Sequence, residues 1–163
     1  MRIATKSSKL NISKLENTKK IADIFAKNIF KGNVILFYGE IGVGKTTFIK
    51  SLVNSLEKMD KKNISEITSP TFSLMNQYKL NKFDIHHYDL YRLKSEKDIL
   101  SLNIFEDISD KIVLIEWPEI LGEHKPRNTI DINFEYGENF NSRYLTISAV
   151  SYTHLRAHET VAN

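Results

Sequence analysis

Residues Gly39-Glu-Ile-Gly-Val-Gly-Lys45-Thr46 place glycine, lysine and a hydroxyl at the spacing G-x-x-x-x-G-K-[ST]. The chemistry this spacing serves is the holding of phosphate groups. Glycines let the backbone turn sharply and aim successive N–H groups at phosphate oxygens. A helix that opens at the end of the loop adds its positive N-terminal end. Lys45 would reach the β- and γ-phosphates of a nucleotide, and the Thr46 hydroxyl would bind Mg²⁺. Gly39, Gly42, Val43, Gly44, Lys45, Thr46 and Thr47 form the candidate nucleotide-contacting set.

Such a loop needs a carboxylate at the end of a neighbouring buried strand. Ile112-Val-Leu-Ile-Glu116 supplies one, ending in Glu rather than Asp. Glu116 could bind Mg²⁺ directly or through water, or polarise the attacking water, and the residues leave these open. Asp89, in Phe83-Asp-Ile-His-His-Tyr-Asp-Leu-Tyr-Arg92, shares a strand face with His87 by simple alternation. It reads either as a ligand of Mg²⁺-bound water or a water-positioning group, or as a turn cap or partner of Arg92. His86 and His87 face opposite ways, so they make a poor metal pair. Thr71, in Ser69-Pro-Thr-Phe72, sits where a nucleotide-sensing hydroxyl is expected in switch proteins, and taken alone it reads as a turn residue. Trp117 reads as a packing aromatic or as an anchor for a partner.

The elements that must position these groups follow from periodicity. Ser13-x-x-Glu16 has the form of a capping box, and apolar residues at helical spacing predict a helix over 13–30. Val34–Tyr38 is a continuous apolar run, as in a strand buried on both faces. Helical spacing resumes from Thr46 to about Lys58. Stretches 72–79 and 83–90 alternate and predict an antiparallel hairpin, and 95–100 a short helix. Residues 112–115 form a second buried strand, and 129–136 and 143–148 two more.

The chain has 163 residues, 41% hydrophobic and 26% charged, which allows a folded core in one domain. No apolar run approaches the roughly 18 residues of a membrane span, and Met1–Lys20 lacks the apolar core of a signal peptide. There is no cysteine. A cytoplasmic protein without membrane contact is therefore expected. A net charge of +3 is too small to argue by itself for nucleic-acid binding. The composition changes abruptly after Val150: Ser151–Asn163 has neither Lys nor Ile but holds His154 and His158. This stretch resembles a translated sequencing adapter, so residues 1–149 are read as one P-loop domain and 150–163 as a non-native tail.

Four segments occur in order: Gly39–Thr47, then Ser69–Tyr78, His87–Leu93 and Leu114–Glu119. Together they resemble the TsaE (YjeE) family, the small bacterial ATPases of tRNA threonylcarbamoyladenosine synthesis. The resemblance spans about residues 13–148. It implies an α/β fold, a P-loop NTPase-like three-layer sandwich with a mixed, partly parallel central sheet. It also implies ATP and Mg²⁺ as ligands, slow hydrolysis, and association with the TsaB–TsaD complex, with tRNA contacted indirectly. Lys45, Asp89 and Glu116 then take catalytic roles, and Thr46 and Glu116 the metal roles. Thr71 and Trp117 match family positions, and Thr18 lies in a helix that approaches the nucleotide in this family. Two other readings are a small-molecule P-loop kinase, though no arginine-rich lid follows Glu116, and an ATP-gated interaction module with incidental hydrolysis. Arg92 is the only arginine close to a motif.

Overall fold

The computed structural model describes residues 8–70 and 72–149. Strands β1 (Lys9–Asn11), β2 (Val34–Tyr38), β3 (Met75–Lys79), β4 (Asp84–Asp89), β5 (Lys111–Glu116), β6 (Ile130–Tyr136) and β7 (Arg143–Ala149) form one sheet. Helices α1 (Leu15–Ala26), α2 (Lys45–Met59) and α3 (Glu96–Ser101) pack on it. The strand order is β1-β7-β6-β2-β5-β4-β3. The central strands β6, β2, β5 and β4 run parallel, and β1, β7 and β3 pair antiparallel at the flanks. Thr71 and the tail 150–163, with His154 and His158, lie outside the described residues.

The unbroken apolar character of β2 and β5 is explained by cover on both faces. Ile35, Phe37, Ile112 and Leu114 pack under α1 and α2. Leu36, Val113 and Ile115 face the other way, against Ile99 of α3 and Leu121. Three layers result, in a mixed, partly parallel α/β arrangement.

Helix α2 carries the residues that follow the glycine-rich turn, so its seating matters. Phe48 meets Phe25 of α1 edge-on at 6.0 Å and Phe134 of β6 at 5.9 Å. Aromatic pairs in this geometry contribute about 0.5–1.5 kcal/mol each beyond area burial. Helix α1 buries Thr18, Ile21, Ala22, Phe25 and Ala26, a single stripe at helical spacing.

Two expectations need correction. Helix α1 is shorter than 13–30, and the Ser13–Glu16 capping box does not form: Lys14 is the N-cap and makes no side-chain cap bond. The Ser13 hydroxyl instead accepts from the Arg143 backbone N–H at 3.0 Å, which ties the start of β7 to the chain entering α1. The hairpin strand expected from residue 72 begins at Met75. Leu74 adopts φ +66° and its N–H donates to the Pro70 carbonyl, a turn that delays pairing.

Candidate functional site

Strand β2 ends at Tyr38, and the chain turns through Gly39–Gly44 into α2. Gly39 is fixed by crowding. A Cβ there would lie 2.9 Å from Phe134 Cβ, the Phe134 carbonyl and Val43, at a backbone φ of +144°. Gly44 caps α2 in the left-handed region, φ +119°, and no side chain caps the helix. Its first-turn N–H groups are therefore left for an outside acceptor. An anion is the acceptor that a helix N-terminus favours.

Four elements converge beside this turn. Ile41, Gly42, Gly44, Lys45, Thr46, Thr47, Ser69, Asp89, Tyr91, Glu116 and Trp117 line a cleft of about 350 Å³. Parallel pairing sets Asp89 of β4 directly opposite Glu116 of β5, and Phe37 of β2 opposite Glu116 on its other side. Both carboxylates thus reach the ends of parallel strands on one face of the sheet. The Thr46 hydroxyl donates to Glu116 Oε1 at 2.9 Å. The second oxygen, Oε2, lies 2.8 Å from Nε2 of the buried His87. Asp89 accepts from the Ser69 hydroxyl at 2.8 Å and from the Tyr91 N–H at 3.1 Å.

Lys45 is the cation of the cleft. Its Nζ donates back to the Gly39 carbonyl at 2.5 Å and lies 3.4 Å from the centre of the Trp117 ring. Burial pushes its ammonium below the usual lysine range, against the opposing pull of Glu116, Glu119 and Asp89. Burial likewise raises Glu119, with Lys45 acting against the shift. Trp117 has φ +58° and also meets the Tyr91 ring, tilted by 49°, at 4.8 Å between centroids. It is half-buried in the cleft wall, where it packs between Tyr91 and the Lys45 ammonium.

The donor set suits a hard divalent cation. Mg²⁺ favours oxygen ligands, and sites that use it keep one or two carboxylates and complete the shell with water and phosphate oxygens. Thr46 Oγ1 and Glu116 Oε1 are adjacent oxygens facing the loop that would carry the phosphates. Among the described residues lining the cleft, Lys45 is the one cation beside Asp89 and Glu116, so a polyanion entering the cleft needs additional positive charge.

The family model described as "Threonylcarbamoyl adenosine biosynthesis protein TsaE" matches residues 12–145. The chain belongs to the TsaE family. Members of this family take part in tRNA threonylcarbamoyladenosine biosynthesis. The TsaE protein of Rickettsia conorii is 37% identical over 132 residues, covering 81% of this chain and 73% of that one. That of Nostoc sp. is 35% identical over 137 residues, 80% of each chain. The crystal structure of Bacillus subtilis YdiB superposes with a TM-score of 0.73 at 24% identity, over 98% of this chain and 99% of that one, a likeness of fold.

Most candidates from the TsaE-like motifs meet at the cleft: Gly42, Gly44, Lys45, Thr46, Thr47, Asp89 and Glu116. Gly39 lies beneath the turn, and Val43 is buried and faces a second cavity of about 160 Å³. That cavity adjoins the first through Gly44 and Thr47 and is lined by Ile12, Ser13, Leu15, Thr18 and Arg143 as well. Arg92 stays outside, its guanidinium 4.5 Å from the centre of the exposed Phe72 ring. Sequence reasoning did not find Ser69, Tyr91 or the His87–Glu116 contact. The shared face of His87 and Asp89 was the available signal, but only the register of β4 against β5 brings His87 to Glu116.

Proposed function

We propose that the chain is a Mg²⁺-dependent ATPase whose slow turnover supports the TsaB–TsaD complex in forming threonylcarbamoyladenosine at position 37 of ANN-decoding tRNAs. The observation that carries the reading is the Thr46–Glu116 pair beside Lys45, at the open end of the α2 first turn. Lys45 would leave Gly39 and Trp117 for the β- and γ-phosphate oxygens. Thr46 and Glu116 Oε1 would hold the metal. When bound, Mg²⁺ offsets charge on the phosphate oxygens.

Asp89 is then left to orient the attacking water. Ser69 and the Tyr91 N–H fix its carboxylate, and lone pairs on both oxygens remain for a water hydrogen. The nucleoside would follow past Gly44 and Thr47 into the second cavity, where Ile12 and Leu15 offer apolar surface and Thr18 and Arg143 polar groups. Cytoplasmic location belongs to this reading. Among the described residues no helix is long and apolar enough to cross a membrane.

Partner gating is favoured by the placement of arginine. Transition-state charge in phosphoryl transfer is commonly met by an arginine, supplied in cis or by a partner. Among the described residues no arginine lines the cleft: Arg92 packs on Phe72 and Arg143 lines the second cavity, so an arginine from a partner fits the slow turnover proposed here. Calorimetric titration tests the reading: ATP should bind the wild-type chain more tightly with Mg²⁺ than with EDTA, and Thr46→Val should remove most of that gain. Equal affinity in both conditions would overturn it.

A further inference from the structure

Glu116 is held at both ends, and the two holds differ in kind. On the loop side, Oε1 accepts from Thr46, which faces the cleft. On the inner side, Oε2 meets His87 Nε2 at 2.8 Å, with the imidazole fully buried and the Glu116 side chain 3% exposed. His87 pairs with Leu114 across β4 and β5, two positions before Glu116, so its ring reaches diagonally to the carboxylate from the same sheet face. His87 Nδ1 is buried without a hydrogen-bond partner, so the ring's polar contact is the one to Glu116. A carboxylate oxygen accepts, so Nε2 is the donor.

We propose that His87 is a positioning residue that commits Oε2 of Glu116 to the protein interior, leaving Oε1 alone to bind the divalent cation. The inference rests on the cation site proposed above. A carboxylate free to turn about its last torsion can present either oxygen, or both, and must lose that freedom when metal binds. His87 removes the freedom beforehand and excludes a bidentate grip. Outer-shell partners of metal ligands typically change metal affinity by about 10–100-fold when lost. His87 makes no contact with the cleft itself, so its removal should weaken the cation without directly weakening the nucleotide.

The test compares His87→Gln and His87→Asn in the full chain, by calorimetric ADP titration with EDTA and with Mg²⁺. Glutamine carries an N–H donor at about the reach of Nε2; asparagine is one methylene shorter and falls short of Oε2. The expected result is that His87→Asn keeps the wild-type ADP affinity in EDTA but loses roughly 10–100-fold of the tightening that Mg²⁺ brings. His87→Gln should stay within a few-fold of wild type in both conditions. The thermal midpoint of each variant checks folding, and His87→Leu provides an apolar variant of similar bulk, expected to behave as His87→Asn does. Unchanged Mg²⁺ tightening in folded His87→Asn or His87→Leu would overturn the positioning role. Equal losses in EDTA and Mg²⁺ would overturn it too, because they mark a packing defect. A wild-type chain whose ADP affinity ignores Mg²⁺ would instead remove the cation site on which the inference stands.

Discussion

A nucleotide bound as proposed would have to draw Lys45 away from Trp117. The ammonium lies 3.4 Å from the ring centre, inside the range where a cation is attracted to an aromatic face. Such contacts contribute about 0.5 kcal/mol when exposed and about 2 kcal/mol when desolvated. Lys45 is only 5% exposed, which places this pair toward the upper end. A nucleotide that draws Nζ onto its phosphates must give this contact up. Replacing Trp117 with Leu keeps apolar bulk and removes the attraction, so ADP affinity in EDTA should rise by about 2-fold to 30-fold, at 1.4 kcal/mol per tenfold. Trp117→Phe, with a weaker π face, should fall between the two. Titration calorimetry reads all three proteins, and Trp117 gives an independent signal because it is the only tryptophan in the chain. Its emission should change on ADP binding in the wild type and change much less in Lys45→Met. Affinities in the order wild type above Phe above Leu would refute the reasoning, since the ring would then serve the nucleotide rather than restrain the lysine.

Three further outcomes are expected. Gly39→Ala should destabilise the fold by about 1–3 kcal/mol in urea unfolding, because its Cβ would press on Phe134 and Val43 at 2.9 Å. Leu15→Asp, at the mouth of the second cavity, should weaken ATP by about tenfold while leaving inorganic triphosphate binding unchanged, as read by calorimetric competition. The third concerns pH. Burial lowers the His86 pKa, and Lys111 lowers it further, against Asp84. The unfolded chain therefore binds the proton more readily, so stability from this group is complete above the ordinary histidine pKa, about 6.5, and declines as pH falls below it. Urea midpoints should drop from pH 7.5 to pH 5, and His86→Gln should flatten that drop.

The parts of the fold that were legible in the sequence are those whose burial writes a strong local pattern. Val34–Tyr38 is covered on both faces and reads as one apolar run, and the glycines that follow it mark the turn into α2. Strand β1 escaped because three residues with a single partly buried position carry no periodic signal; its existence depends on pairing with β7, more than 130 residues away. The capping box at Ser13 failed for a related reason. The motif is local, but a distant backbone N–H, that of Arg143, claimed the hydroxyl. At the site, the loop residues and both carboxylates were visible as types at fixed spacings. The contacts of His87, Ser69 and Trp117 were not, because each is made with a residue distant in sequence: Glu116, Asp89 and Lys45 respectively.

The cleft is proposed to hydrolyse ATP with Mg²⁺ under the control of a partner complex. The most direct measurement is phosphate release from γ-labelled ATP by the chain ended at Ala149, with and without TsaB–TsaD. Release should be slow alone, faster with the partners, and collapse in both conditions in Glu116→Ala. Release that ignores the partners, or that survives intact in Glu116→Ala, would contradict it.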